Sequence, residues 1–187
     1  MDIRLVRIDD RLIHGQVATV WTKHSKINRI LVVSDDVAQD ALRKTLLIRA
    51  APPNIIVNVI PVKKMIGIYH DPRFNDSIQA MLLFTNPSDV KKVVEAGVKI
   101  ETLNVGGMSY QTGKHMITNA VAIDDKDEEA FVFLSNQGIT IDVRKVVSDI
   151  PVDLIHLLKK NQLKTDKKKM IKEREEKYGR NYSCKSW

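Results

Sequence analysis

The sequence predicts an α/β fold: an open, mainly parallel, doubly wound sheet of about seven strands with helices on both faces. Short apolar, β-branched runs alternate with segments of helical character, which is typical of this class. Several runs are continuously apolar, as a parallel sheet covered on both sides requires. The chain has 187 residues with 43% hydrophobic content, enough for one sizeable core. We therefore expect one domain, 1–162, followed by a basic tail, 163–187, that is mobile or an appended sequence.

The strands and the first helix follow from these runs. The predicted strands are 3–8, 29–33, 55–60, 80–84, 102–105, 120–123 and 139–143. After the first strand, Val17, Val20 and Trp21 recur at spacings of three and four residues, and His24 continues the series. This spacing predicts a helix with a buried stripe about two turns long.

Later helices are indicated by their boundary residues. The segment 40–51 is rich in Ala, Leu and Arg, and two prolines follow it. The segment 86–97 begins with Asn-Pro-Ser-Asp and ends at Gly97, while 124–136 begins with acidic residues and is closed by Gly138. A last amphipathic helix is expected after Pro151. We predict His70 in a turn beside Asp71-Pro72.

Charge and hydropathy limit the function classes. The net charge of +7 is concentrated at the end, because nine Lys or Arg and four Asp or Glu lie from Lys164 onward. The rest of the chain is nearly balanced, which argues against a nucleic-acid-binding body. No apolar run approaches the roughly 18 residues of a membrane span, and charged residues open the chain. We expect a cytosolic protein, and the single cysteine, Cys184, excludes an intrachain disulfide.

The loop after the first predicted strand holds an unusual concentration of reactive side chains. Its sequence is Asp9-Asp10-Arg11-Leu12-Ile13-His14-Gly15-Gln16, immediately before a helix. In open α/β sheets, ligands bind beyond the carboxyl ends of the strands. This loop is therefore the first candidate site.

The physical chemistry of this loop favours an anion such as a phosphoryl group at His14. The N–H groups of Gly15, Gln16 and Val17 would be free at the helix start, beside the positive end of the helix dipole. Gly15 lets the backbone come close, and Arg11 offers a planar set of donors.

His14 is the candidate nucleophile of this loop. A carboxylate, either Asp9 or Asp10, would accept the N–H of one imidazole nitrogen and leave a lone pair on the other. The alternative for His14 is a helix cap or a hydrogen bond to a core carbonyl.

Other polar features carry weaker indications. The other histidines are interpreted as structural, and no pair of them has metal-ligand spacing. Gly106-Gly107 would either bring backbone amides to an anion or form a tight turn. Ser34-Asp35-Asp36 and Thr85 lie at the same rim, where a helix-cap role is equally consistent. The sequence contains neither a Walker motif nor a dinucleotide glycine fingerprint.

Three separated motifs resemble one family. RIDDRLIHGQV followed by Trp21, LLF at 82–84 and LNVGGM at 103–108 are similar, in order and spacing, to IIB subunits of the mannose/fructose/sorbose family of the sugar phosphotransferase system. The resemblance covers about residues 1–160. It implies that His14 is the phosphorylated histidine, that Asp9 contacts it and that Arg11 contacts the phosphate. Gln16 and Gly106-Gly107 are assigned to phosphate binding with less support.

The resemblance also implies a reaction and partners. A IIA phosphohistidine would phosphorylate His14, and a hexose presented by the membrane components IIC and IID would accept the group. The enzyme would be a protein-N(pi)-phosphohistidine–sugar phosphotransferase that needs no cofactor or metal and lies in the cytoplasm, against the membrane through IIC and IID. A homo-oligomer is compatible with the sequence. The alternatives are a histidine-dependent hydrolase or an anion-binding module, and the sequence does not specify the sugar.

Overall fold

A computed structural model describes residues 1–74 and 78–161. The strands and helices alternate, and their bounds in chain order are β1 Asp2–Asp9, a π-helical turn Val17–Trp21 continued by α1 Thr22–Ser25, β2 Arg29–Val33, α2 Asp35–Gln39, α3 Ala41–Arg49, β3 Ile56–Ile60, α4 Val62–His70, β4 Gln79–Phe84, α5 Pro87–Glu95, β5 Thr102–Gly107, β6 His115–Met116, β7 Ala122–Ile123, α6 Asp125–Asn136, β8 Thr140–Val143, β9 Val152–Asp153 and α7 at 154–161. The predicted fold class is confirmed. The expected tail, 163–187, lies outside the described residues.

In the described part of the chain, the main sheet has seven strands in the order β3-β2-β4-β1-β5-β8-β9, and only the β8–β9 pair is antiparallel. The predicted strand at 120–123 is not a member of this sheet, because β7 pairs with β6 in a separate two-stranded sheet. The seventh strand is instead β9, in a segment that we had assigned to the last helix. A strand of two residues is too short to produce a detectable periodicity.

Two apolar cores cover the two faces of the sheet. One face packs against the helices α4 to α7, with Met65, Phe131 and Leu158 among the buried side chains. The other packs against the first helix, α2 and α3, with Trp21 and Leu47. The continuously apolar strands therefore have the two-sided burial that their sequence predicted.

Several helix boundaries agree with the sequence. The side chains of Asp40, Asn86 and Asp124 each accept a backbone N–H at the start of α3, α5 and α6. Gly97 and Gly138 follow α5 and α6 with φ of 87° and 83°, a conformation that favours glycine.

Other local predictions were wrong. Val20 and His24 are exposed, so the buried stripe of the first helix reduces to Val17 and Trp21. The cause is the π-helical turn, whose wider winding changes which residues share a face. His70 ends α4 and is not part of a turn, and one of its ring nitrogens contacts the Ala96 carbonyl at 2.9 Å.

The topology defines one crevice. The chain leaves β1 towards β2 on one side, whereas it leaves the neighbouring β5 towards β8 on the other. The first helix and α6, which follow these strands, pack on opposite faces. Adjacent strands whose connections run in opposite directions form the usual ligand crevice of such sheets. The loop that carries His14 leaves β1 at this position.

Candidate functional site

A β-bulge shapes the end of β1. The register pairs Arg7 with Asn104 and Ile8 with Val105, and then passes over Gly106 to pair Asp9 with Gly107. Because side chains alternate along a strand, Arg7 and Asp9 point to the same face. The extra residue, Gly106, lies beside them, and bulges of this kind commonly redirect side chains next to active sites.

Asp9 is the centre of the site. Its carboxylate is inaccessible to solvent, and it lies 2.8 Å from Arg7 Nη2, 3.2 Å from Arg11 Nε and 2.9 Å from His14 Nε2. Burial acts to raise the pKa of Asp9. The hydrogen bonds from His14 and Arg11 and the charge of Arg7 outweigh burial and lower that pKa below its ordinary value. Asp9 is therefore held as a carboxylate.

Arg7 is a residue of this candidate site that our sequence reasoning missed. Its side chain is fully buried and donates to Asp9, to the Asn104 amide oxygen and to the main-chain carbonyls of Arg144 and Lys145. Burial lowers the pKa of Arg7, and the charge of Asp9 opposes that shift. An arginine between the apolar residues Val6 and Ile8 of a parallel strand was the available signal, since buried arginines are rare unless they are paired.

Trp21, on the first helix, packs against the arginine side of the site. Its indole N–H donates to the Lys145 carbonyl at 3.1 Å. The guanidinium carbons of Arg7 and Arg144 lie 4.8 Å and 5.5 Å from the centre of its ring. These are cation–π distances, so one aromatic side chain holds both the buried arginine and the segment after β8.

His14 is presented by a tight turn. Leu12 adopts the left-handed conformation, with φ of 59°, and its N–H donates to the Asp9 carbonyl while its side chain is fully buried. This strained position directs the chain so that the His14 imidazole reaches back to Asp9, with one fifth of the side chain exposed. When Nε2 carries the proton, it donates to Asp9, and the lone pair remains on Nδ1.

The sequence left open whether Asp9 or Asp10 contacts the His14 imidazole. In the structure the contact is made by Asp9. Asp10 accepts the Ser109 N–H at 2.7 Å instead, which fastens the His14 loop to the segment after β5.

The other predicted site residues surround this centre. The first intrahelical hydrogen bond runs from the Ala18 N–H to the His14 carbonyl, which leaves the N–H groups of Gly15, Gln16 and Val17 without partners inside the helix. Gly15 and Gln16 are exposed and Val17 is buried. Our prediction that these three groups bind phosphate stays a prediction, as does the role of Arg11, whose side chain is about half exposed.

Gly106 and Gly107 end β5 and do not form the tight turn that was one of the two expectations. A Cβ at Gly106 would overlap the Arg7 guanidinium, and one at Gly107 would lie 3.5 Å from Asp9 Oδ1. The missing side chain of Gly106 thus makes room for the Arg7 guanidinium, whereas a Cβ at Gly107 would make only an ordinary van der Waals contact. Our suggestion that these glycines contact phosphate stays a prediction.

Two further polar residues that the sequence placed at this rim, Ser34 and Thr85, make local hydrogen bonds outside the Asp9–His14 centre. Ser34 accepts the Val37 N–H as the cap of α2, and Thr85 accepts a hydrogen bond from the Asn86 side chain.

Within 1–74 and 78–161, the side chains that commonly ligate metals form no group of three. Over the same residues, every helix is too short or too polar to cross a membrane.

A pocket of about 320 Å³ opens beside Arg11, on the β5 side of the site. It is lined by Asp10, Arg11, Gly106, Gly107, Met108, Ser109, Tyr110, Met116, Asn119, Ala120 and Lys145. We refer to it as the Arg11 pocket. It shares Arg11 with the Asp9–His14 centre.

Comparisons with known proteins identify a family for this chain. The family model described as the sorbose subfamily IIB component of the phosphotransferase system matches residues 3–169. The mannose-specific EIIAB component of Escherichia coli K12 is 52% identical over 160 residues, which are 86% of this chain. The chain spans about half, 49%, of the length of that relative.

Two further relatives are matched over nearly their whole length. The fructose-specific EIIB component of Bacillus subtilis is 45% identical over 85% of this chain and 97% of its own. The crystal structure of the IIBSor domain of the Klebsiella pneumoniae sorbose permease gives a TM-score of 0.83 and 46% identity, covering 86% of this chain and 98% of that one. The resemblance of the three motifs is therefore confirmed. The chain belongs to the sorbose-subfamily IIB components of the phosphotransferase system.

Proposed function

We propose that this protein is a phosphocarrier of a sugar-transporting phosphotransferase system, which accepts a phosphoryl group on His14 from a IIA phosphohistidine and transfers it to a hexose presented by IIC and IID. One observation carries the proposal: Asp9 engages His14 Nε2 at 2.9 Å and leaves Nδ1 as the nucleophilic nitrogen. The activity is that of a protein-N(pi)-phosphohistidine–sugar phosphotransferase, since Nδ1 is the pi nitrogen. The relative named EIIAB supports a IIA donor.

The first transfer follows from the charges around the ring. The lone pair of His14 Nδ1 forms the new N–P bond while the N–P bond of the donor breaks and its electron pair stays on the donor imidazole. The His14 ring gains positive charge as this happens. Asp9, held as a carboxylate by Arg7 and Arg11, stabilises that charge through Nε2–H.

The phosphoryl oxygens need donors of their own. The free N–H groups of Gly15, Gln16 and Val17 and the outer nitrogens of Arg11 supply them. In the second transfer a sugar hydroxyl attacks phosphorus, the N–P bond to His14 breaks, and the hydroxyl proton leaves to a base at the acceptor. Because His14 is partly exposed, both partner proteins can reach it, which suits a carrier at the cytoplasmic face of the membrane beside IIC and IID.

Labelling with phospho-IIA tests the proposal. The intact protein should gain one acid-labile phosphoryl group, and ³¹P–¹⁵N NMR should locate it on Nδ1 of His14. His14→Ala should abolish the label. His156→Ala, an exposed histidine on α7, is the matched control and should label normally.

Asp9→Asn separates the proposed mechanism from simple exposure of a histidine. It removes one charge-assisted hydrogen bond to the ring, a loss of about 1.5–3 kcal/mol, so labelling should slow roughly 10- to 100-fold. If His14→Ala still becomes labelled, or if the label is on Nε2, the assignment is wrong. Turnover of a substrate without any protein donor would instead support the hydrolase alternative, which no observation here favours.

A further inference from the structure

The Arg11 pocket has the size of a small-ligand site and adjoins the proposed reaction centre. Its volume of about 320 Å³ lies at the lower end of the range for small-molecule pockets, roughly 300–1,000 Å³. Arg11 belongs to both sites, since its Nε contacts Asp9 while the side chain also lines the pocket. A ligand there would lie one side chain away from the Asp9–His14 pair.

Four polar side chains of this pocket are not used by the protein itself. Within the part of the chain that the structure describes, the side chains of Ser109, Tyr110, Asn119 and Lys145 make neither a hydrogen bond nor an ion pair. They are exposed and line one concavity. Hydroxyl, amide and ammonium groups in such an arrangement can hydrogen-bond a ligand that carries several hydroxyl groups.

The charged and apolar parts of the lining narrow the ligand class further. Arg11 and Lys145 put two cations on the pocket against the single carboxylate of Asp10, which accepts the Ser109 N–H, so the lining carries a net positive charge that favours a phosphate group. Met108, Met116 and the ring of Tyr110 provide apolar surface between the polar groups. A sugar ring has the matching character, because its C–H faces are apolar and its hydroxyl edge is polar.

We propose that the Arg11 pocket binds a hexose phosphate, the product of the second transfer, with the sugar over Tyr110 and Met116 and the phosphate between Arg11 and Lys145. The inference rests on the proposed function for the origin of this ligand, whereas binding itself does not require phosphorylated His14. The hydroxyl that attacks the phosphoryl group would approach His14 from this side, past Arg11. Because the product must leave again, the affinity is weak, with Kd in the millimolar range.

Titration of the ¹⁵N-labelled full chain tests the pocket. The probes are mannose 6-phosphate, fructose 1-phosphate and inorganic phosphate at matched ionic strength. At least one hexose phosphate should shift the backbone amides of Ser109 and Asn119 and bind with a Kd about fivefold or more below that of inorganic phosphate. Asn119→Ala and Tyr110→Ala should raise that Kd about fivefold, the scale of one lost contact of about 1 kcal/mol.

A matched control and the contrary results complete the test. Val132→Ala, an exposed residue of α6 that does not line the pocket, should leave the Kd unchanged. Equal affinity for inorganic phosphate and hexose phosphates would overturn the proposal, as would the absence of shifts at 20 mM ligand. If Tyr110→Ala and Asn119→Ala slow labelling by phospho-IIA but leave the titration unchanged, the pocket is a surface for the donor protein and the proposal fails.

Labelling of the wild-type chain separates this proposal from the proposed function. A chain that is labelled on His14 but does not bind hexose phosphate refutes the pocket alone. A chain that binds hexose phosphate but is not labelled refutes the phosphocarrier function and leaves the pocket in place.

Discussion

Replacing Arg7 or Asp9 should reveal strong coupling between two buried charges. Neither side chain is accessible to solvent, and Arg7 Nη2 lies 2.8 Å from Asp9 Oδ2. Arg7→Met leaves the Asp9 carboxylate without its only fully buried counter-charge, and Asp9→Asn leaves the Arg7 guanidinium in the same condition. Each should cost about 3–5 kcal/mol of unfolding free energy, out of about 5–15 kcal/mol for a domain of ordinary stability.

The double variant tells charge coupling from independent packing defects. Arg7→Met with Asp9→Asn leaves no unpaired ion, so its loss should be at least about 2 kcal/mol smaller than the sum of the single losses. Urea unfolding followed by circular dichroism measures all four proteins. The same cycle on Asp71 and Arg73, an exposed pair whose atoms approach to 2.6 Å, is the control and should show little coupling. Additive losses at Arg7 and Asp9 would refute the reasoning.

Three further predictions follow from the same contacts. Gly106→Ala should cost about 1–3 kcal/mol of unfolding free energy, measured in urea, and should slow the labelling of His14, because the new Cβ would displace the Arg7 guanidinium. Gly15→Ala is the control: the space around Gly15 is open, so stability should change by less than about 0.5 kcal/mol. Because the pKa of Asp9 is lowered in the folded state, its carboxylate contributes stability above about pH 4, and this stability is lost as the pH falls through the folded-state pKa. In a plot of unfolding free energy against pH, Asp9→Asn should therefore reduce the fall on the acid side. An unchanged acid side would contradict this. Trp21→Phe removes the hydrogen bond to the Lys145 carbonyl, weakens the contacts of two guanidinium groups with the ring and leaves a cavity at a fully buried side chain. It should therefore cost about 2–4 kcal/mol in urea unfolding, and a loss below about 1 kcal/mol would contradict this.

The sheet was predictable because its strands are apolar on both faces, and that property is visible in the sequence of β2 and β4. The capped helices α5 and α6 were predictable because Asn86 and Asp124 make local hydrogen bonds to their own first turns. Strand β9 and the β6–β7 pair were not recognised as such, because pairs of two-residue strands form through tertiary contacts and have no local period. The exposure of Val20 was missed because a π-helical turn shifts the helical faces, and no residue type marks such a turn.

The contacts of the candidate site were likewise predictable only in part. Asp9, Arg11 and His14 are close in sequence, so a chain reversal of a few residues brings them together, and their contact could be expected from the loop. Apart from Asp9, the partners of Arg7 are Asn104 on β5 and the Arg144 and Lys145 carbonyls just after β8, all distant along the chain. Only the strand order β1-β5-β8 makes them neighbours. Side-chain periodicity does not specify that order.

The bulge residue explains why Arg7 belongs to the site and not only to the sheet. Gly106 is the residue that the β1–β5 register passes over, and a Cβ at this position would overlap the Arg7 guanidinium. Because Gly106 has no side chain, Arg7 can contact Asp9 from inside the strand while Arg11 and His14 contact it from the loop. The charge state of Asp9 therefore depends on a residue inside the strand. The proposed site begins at Arg7, two residues before Asp9 and the loop that carries Arg11 and His14.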